Sequence, residues 1–188
     1  MEKLLIGITG ASGSVYAIFL LKELKKLGVT SDLIVTRAGS LVLREELGIS
    51  VNELKDLCNR IFDENEIGEE PASGSSEYDA MVIIPCSMAT LSAIASGASR
   101  NLLQRAADVM LKERRRLVLV VREAPLNLIH IKNMETCTLA GAVIFPASPF
   151  FYGKPKTLED LVSQFVKKLL NFLGLKCKDF KPWNGVSF

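Results

Sequence analysis

Leu4-Leu5-Ile6-Gly7-Ile8-Thr9-Gly10-Ala11-Ser12-Gly13-Ser14 runs an apolar strand straight into a Gly/Ser turn, and Phe19, Leu20, Leu24 and Leu27 follow it with helical spacing. A strand, a tight glycine turn and a helix form a ready anion site. Glycine lets the backbone turn sharply and approach a ligand, while the first N–H groups of the helix and its positive dipole end attract phosphate. Thr9, Ser12 and Ser14 add hydroxyl donors beside them.

The glycine spacing narrows the choice of nucleotide. Gly7, Gly10 and Gly13 do not make the GxGxxG of a dinucleotide fold, and a TGxxGxxG variant would need glycine where Tyr16 stands. The second strand, near Ser31 to Thr36, ends without an acidic residue for an NAD ribose, although Arg37 could meet the extra phosphate of NADP. A mononucleotide such as FMN fits at least as well as NAD(P).

Composition sets the class. With 188 residues and 48% hydrophobic content, the chain suits one globular domain spanning residues 1–188. Lys+Arg 23 against Asp+Glu 21 leaves +2, too balanced for nucleic acid as the main partner. Arg114, Arg115 and Arg116 read as a solvated helix terminus, where cations favour the dipole. Cys58, Cys86, Cys137 and Cys177 lie far apart with a single histidine, His130, so no metal site is expected. There is no run of eighteen apolar residues and no charged-then-apolar leader, so the expectation is a reduced, cytoplasmic protein without a membrane span.

Short apolar runs alternate with amphipathic segments. The pattern predicts strands near 3–9, 30–36, 79–85, 117–122 and 141–146, and helices near 13–27, 38–47, 87–97, 101–114, 125–137 and 157–173. This is an α/β chain: a three-layer αβα sandwich with a flavodoxin-like or Rossmann-like parallel sheet. Met81-Val82-Ile83-Ile84 and Leu117-Val118-Leu119-Val120-Val121 are apolar without alternation, as strands covered on both faces should be. Ligands of such sheets gather beyond the carboxyl ends of the strands. Those ends carry Pro85-Cys86-Ser87-Met88-Ala89-Thr90, the charge pair Arg122-Glu123 before Ala124-Pro125, and the aromatic loop Pro146-Ala147-Ser148-Pro149-Phe150-Phe151-Tyr152-Gly153. By composition alone, Glu69-Glu70-Pro71-Ala72-Ser73-Gly74-Ser75-Ser76 reads as a linker.

Taken in order, Thr9-Gly10-Ala11-Ser12-Gly13, Pro71-Ala72-Ser73-Gly74-Ser75, Pro85-Cys86-Ser87, Asn101-Leu102-Leu103-Gln104-Arg105-Ala106-Ala107-Asp108, Leu111-Lys112-Glu113-Arg114-Arg115, Arg122-Glu123-Ala124-Pro125 and Phe151-Tyr152 resemble the UbiX-type flavin prenyltransferases. That family joins dimethylallyl phosphate to reduced FMN at N5 and C6, making the prenylated FMN used by UbiD-type decarboxylases. The resemblance implies that Gly10, Ala11, Ser12, Thr36, Ser87, Met88, Ala89, Thr90 and Arg122 hold FMN. It places Tyr152, Lys168, Arg105, Lys112 and Ser73 around the prenyl phosphate, and gives Glu123, Glu46, Lys112 and Ser12 parts in the chemistry. It also implies a dodecamer with sites where subunits meet.

The residue types suit that chemistry when read independently. A departing phosphate needs fixed positive charge and hydrogen-bond donors, and loss of a proton from flavin C6 needs a base, for which Glu123 is suited. No DDxxD-like pair is present to hold magnesium on a diphosphate, which favours a monophosphate donor. The chain departs from some relatives at Ile67, where they carry tryptophan, and at Lys168, where they carry arginine; Trp183 does not obviously replace the former. The rival reading is an FMN-dependent decarboxylase of the peptidyl-cysteine or phosphopantothenoylcysteine type, which Ala124-Pro125-Leu126-Asn127 loosely resembles. No histidine precedes His130 to serve as its base. A third reading is a non-enzymatic FMN carrier, and quinone biosynthesis and aromatic-acid degradation both remain open as pathways.

Overall fold

The computed structural model describes residues 1–183 and 185. Six parallel strands form one sheet in the order β3-β2-β1-β4-β5-β6: β1 (Lys3–Ile8), β2 (Thr30–Val35), β3 (Arg60–Asp63), β4 (Ala80–Cys86), β5 (Arg116–Val121) and β6 (Val143–Ile144). The central strands are buried along nearly their whole length. Their apolar side chains divide by parity. Leu4, Ile6 and Ile8 join the core beneath α1 (Ser14–Lys26), α2 (Arg37–Leu47) and α6 (Leu158–Phe172). Leu5, Met81, Ile83, Leu117 and Leu119 face α3 (Met88–Ala95), α4 (Leu102–Lys112) and α5 (Leu128–Leu139) on the other side. Continuous apolar runs thus give a sheet with two dry faces and three layers.

The sequence pattern missed β3. Its four residues begin with Arg60 and end with Asp63, and only Phe62 is buried, so an edge strand carries little hydrophobic signal. Asp32, inside the sheet, pairs in register with Arg60. The last strand is shorter than the apolar run around it, two residues in place of the expected 141–146. The fifth helix starts after Asn127 and not at Pro125, because the Asn127 side chain accepts the His130 N–H at 2.9 Å while the His130 ring accepts the Asn127 N–H. His130 is therefore a capping residue.

From β1 the chain moves to β2 on one side, and β4 lies on the other. Their carboxyl ends form the crevice where the winding direction reverses, the usual ligand position in open α/β sheets.

Candidate active site

Two loops meet at this crevice, and Thr9 fastens them. Its hydroxyl donates to the Pro85 carbonyl at 2.7 Å and accepts the Ser87 N–H at 2.8 Å, and its own N–H reaches Pro85 O at 3.3 Å. Thr9 is buried, so the expected ligand hydroxyl is a clasp between β1 and β4. Thr36 is spent in a similar way. Its hydroxyl donates to Ile8 O at 3.3 Å and accepts the Gly39 N–H at 3.0 Å, capping α2. Gly10 is required by a close approach within the fold: a Cβ there would lie 2.6 Å from Ala38 Cβ at the start of α2. A glycine read as making room for phosphate makes room for a helix.

The N-terminus of α1 has an internal anion. Gly13 takes a left-handed conformation (φ 110) at the helix N-cap and supplies no side-chain cap. The Glu46 carboxylate, from the last turn of α2, accepts the Gly13 N–H at 3.0 Å and the Ser14 N–H at 2.8 Å. Burial pushes the Glu46 carboxyl up, but the Ser12 hydroxyl and the Ser14 and Gly13 N–H groups outweigh it and hold the group below its ordinary value. The buried Ser14 hydroxyl has no well-formed hydrogen bond among the described residues. At α2, the Arg37 N–H donates to Glu64 Oε1 at 2.5 Å, and Asn101 Nδ2 donates to Glu64 Oε2 at 2.7 Å. Two of the three helix starts around the crevice are thus met by the chain's own carboxylates.

The third, at α3, stays open. Ser87 caps it, accepting the Thr90 N–H at 3.3 Å and donating to Thr90 Oγ1 at 3.1 Å. As the first helical positions, Met88 and Ala89 have N–H groups beyond the reach of intrahelical acceptors, and no other acceptor meets them among the described residues. Cys86 precedes Ser87, but full burial pushes its thiol far up and makes it inert.

Arg122 follows β5, its N–H donating to Cys86 O at 3.3 Å. Its exposed guanidinium has no ion pair among the described residues, and its charge acts on the half-buried Tyr16. The Arg122–Glu123 ion pair does not form among the described residues. The Glu123 carboxylate instead accepts the Ala124 N–H at 3.0 Å and remains exposed.

The aromatic loop is a packed wall. Phe150 and Tyr152 stack at 4.3 Å, and Lys168 Nζ sits 5.2 Å from the Phe150 ring centre. The tail closes over this pair: Phe180 meets Phe150 edge-on at 6.2 Å, and Trp183 meets Tyr152 at 5.7 Å. Gln164 of α6 ties the tail down, donating to Asp179 O at 3.2 Å and accepting the Lys181 N–H at 3.1 Å. In the sequence Trp183 has no evident place in the site, only a position that does not replace the tryptophan of some relatives near Ile67. A lone tryptophan following Phe180 in a short polar tail was the available signal.

Ser73, Arg105 and Lys112 form a separate group. Helix α4 begins at Leu102, whose N–H reaches Glu64 O beyond the carboxyl end of β3, and ends at Lys112, just before β5 starts at the amino ends of the strands. Arg105 donates to Asp108 at 2.6 Å and to Ala72 O at 3.3 Å, while Lys112 pairs with Glu113. No hydrogen bond, ion pair or ring contact joins this group to Tyr152 or Lys168 among the described residues. Within one chain, Lys112 and Arg105 thus stand apart from Tyr152 and Lys168, and the resemblance expects that phosphate site where subunits meet. No cluster of three or more possible metal ligands occurs among the described residues, and no described helix is long and apolar enough to cross a membrane.

The flavoprotein family model matches residues 1–170. A flavin prenyltransferase UbiX from Halalkalibacterium halodurans is 48% identical over 188 residues, covering 95% of this chain and 91% of the relative. The crystal structure of AnUbiX (PadA1) in complex with FMN and dimethylallyl pyrophosphate is 41% identical with a TM-score of 0.96, over 99% of both chains. A dodecameric FMN-dependent UbiX-like decarboxylase from Escherichia coli O157:H7 is 36% identical with a TM-score of 0.94, covering 98% of this chain and 100% of that one. With the strand order, the open α3 start and the aromatic wall all carried on a sequence this similar, the chain belongs to the UbiX-type flavin prenyltransferase family of flavoproteins.

Proposed function

We propose that this protein is a flavin prenyltransferase, joining the dimethylallyl group of dimethylallyl phosphate to N5 and C6 of reduced FMN. The observation that carries this reading is the crevice at the β1/β4 reversal, where the α3 start and the Arg122 guanidinium remain for a ligand phosphate, with the aromatic loop after β6 at the same end of the parallel sheet. The residues fit FMN. Its single phosphate ester matches the open N–H groups of Met88 and Ala89, with Ser87 and Thr90 at hand, and Gly10, Ala11, Ser12 and Thr36 line the neighbouring turns. Arg122 supplies positive charge at the mouth. Bound reduced flavin supplies the nucleophilic ring atoms.

The chain's own groups do the rest. Tyr152 and Lys168 offer a hydroxyl and an ammonium to the departing phosphate, and the stacked Phe150 and edge-on Trp183 give the prenyl chain apolar surroundings. Glu123, held by one backbone N–H, has a free carboxylate oxygen to take the proton lost from flavin C6. Glu46 keeps Ser12 and the α1 turn in place. Ser73, Arg105 and Lys112 complete the phosphate site from a neighbouring subunit in a homo-oligomer, a dodecamer as in the E. coli relative. Exposed Leu128, Ile129 and Leu139 on α5 support such an assembly. The product goes to a UbiD-type decarboxylase in the cytoplasm.

The test is anaerobic incubation of purified, FMN-loaded protein with reductant and dimethylallyl phosphate, followed by flavin mass. A gain of one dimethylallyl unit is expected, and the diphosphate run in parallel sets the donor preference. An unchanged flavin mass with either donor refutes the reading and leaves an FMN carrier.

A further inference from the structure

The segment that composition marks as a linker is held by a fork of hydrogen bonds. Three alternate carbonyls face α4 and its end: Ala72 O accepts from Arg105 Nε at 3.3 Å, Gly74 O from Arg115 Nη2 at 2.7 Å, and Ser76 O from Arg115 Nη1. The intervening Ser73 and Ser75 are exposed, their hydroxyls 2.8 Å apart, with the Ser75 N–H donating to Ser73 Oγ at 3.3 Å. Gly74 lies so close to the end of α4 that a Cβ would stand 2.7 Å from Lys112 Nζ and collide with the Glu113 carboxylate. Two paired hydroxyls and an ammonium, the latter ion-paired with the Glu113 carboxylate, thus share one exposed surface, while half-buried Arg115 grips the loop by its carbonyls.

We propose that Arg115 is a positioning residue for the prenyl-donor phosphate: by binding two carbonyls of the Ser73–Ser76 loop, it presents the Ser73–Ser75 hydroxyl pair beside Lys112 as the anion-binding surface lent to a neighbouring subunit. The inference rests on the function proposed above. A planar fork holds two carbonyls two residues apart in one fixed geometry. A lysine keeps the charge but loses the rigid fork that fixes both carbonyls at once. With the grip loosened, the hydroxyl pair loses its fixed direction, and small displacements of a positioned group weigh heavily on ligand capture.

Arg115→Lys in the FMN-loaded oligomer tests this. Inorganic phosphate, followed by phosphorus NMR titration, reports the surface without turnover, and donor KM reports it during turnover. Both phosphate dissociation constant and KM should rise together, roughly tenfold or more, with kcat, FMN affinity and oligomeric mass within about twofold of the parent. Gly74→Ala, whose Cβ displaces Lys112 but leaves Arg115 in place, should weaken phosphate in the same way. Unchanged phosphate affinity in Arg115→Lys overturns the proposal. So does a loss shared equally with FMN affinity or assembly, which marks a merely structural residue. If the parent binds phosphate but does not prenylate FMN, the proposed function fails while the titration still decides the role of Arg115.

Discussion

Glu46→Gln separates positioning from catalysis at the mouth of the crevice. The parent carboxylate accepts the Gly13 N–H with both oxygens at 3.0 Å and the Ser14 N–H at 2.8 Å. An amide offers one acceptor oxygen and turns its NH2 toward a second donor. The loss resembles removal of an N-cap, about 0.5–2 kcal/mol, plus the interaction of a charge with the helix start, about 0.3–1 kcal/mol. A destabilisation of about 1–3 kcal/mol at neutral pH is expected. The pH dependence has a definite sign. Because the folded-state pKa of Glu46 is lowered from its ordinary 4.5, its contribution is complete above that value and is lost as pH falls through the folded value. Urea unfolding of parent and variant, at one fixed protomer concentration, should show a gap that is widest near neutrality and narrows on acidification. A gap that is absent at pH 7, or unchanged in acid, refutes the capping argument. A carboxylate engaged by backbone donors is also a weak base, which directs the search for a proton acceptor toward Glu123.

Two further substitutions probe the network and the chemistry. Tyr78→Phe removes the hydroxyl that donates to the fully buried Asp32 at 2.7 Å, leaving Asn59 at 2.9 Å and Lys3 at 3.6 Å, so stability should fall by about 1.5–3 kcal/mol. Urea unfolding checks it, and a loss below about 0.5 kcal/mol would show the carboxylate satisfied without the tyrosine. Glu123→Gln should leave stability within about 0.5 kcal/mol, since the exposed carboxylate makes one hydrogen bond to Ala124. With pre-bound substrates its single-turnover rate should drop by about 10²–10⁴-fold, and a rate within a few-fold of the parent removes Glu123 from the mechanism.

The layers of the fold are legible because the central parallel strands β1, β4 and β5 are written as nearly uninterrupted apolar runs, and Leu33-Ile34-Val35 marks β2 beside them. The edge strand Arg60–Asp63 is not, since half of its residues are charged and its place comes from pairing with β2. At the crevice, sequence reveals donors but not their partners. Thr9 and Thr36 show their hydroxyls in the sequence, but not the carbonyls of Pro85 and Ile8 to which they donate. The same limit hides Arg115. A basic run at a helix end resembles a solvated terminus, and the carbonyls that engage Arg115 lie about forty residues earlier in a stretch with the composition of a linker.

The two carboxylates at the helix starts also decide a question the glycine spacing leaves open. In dinucleotide folds the pyrophosphate rests on the N-terminus of the first helix, drawn there by free N–H groups and the dipole. Here Glu46 already accepts the Gly13 and Ser14 N–H groups, so a pyrophosphate would meet a fixed negative charge at that position. Glu64 holds the Arg37 N–H in the same manner, which sets an anion at the start of α2. At α3, one short helix capped by Ser87, two N–H groups stay unspent and no carboxylate meets them among the described residues. One such start accommodates one phosphate monoester. The pyrophosphate position of a dinucleotide fold is thus filled by the chain's own Glu46, 33 positions away from the Gly13 N–H that it accepts.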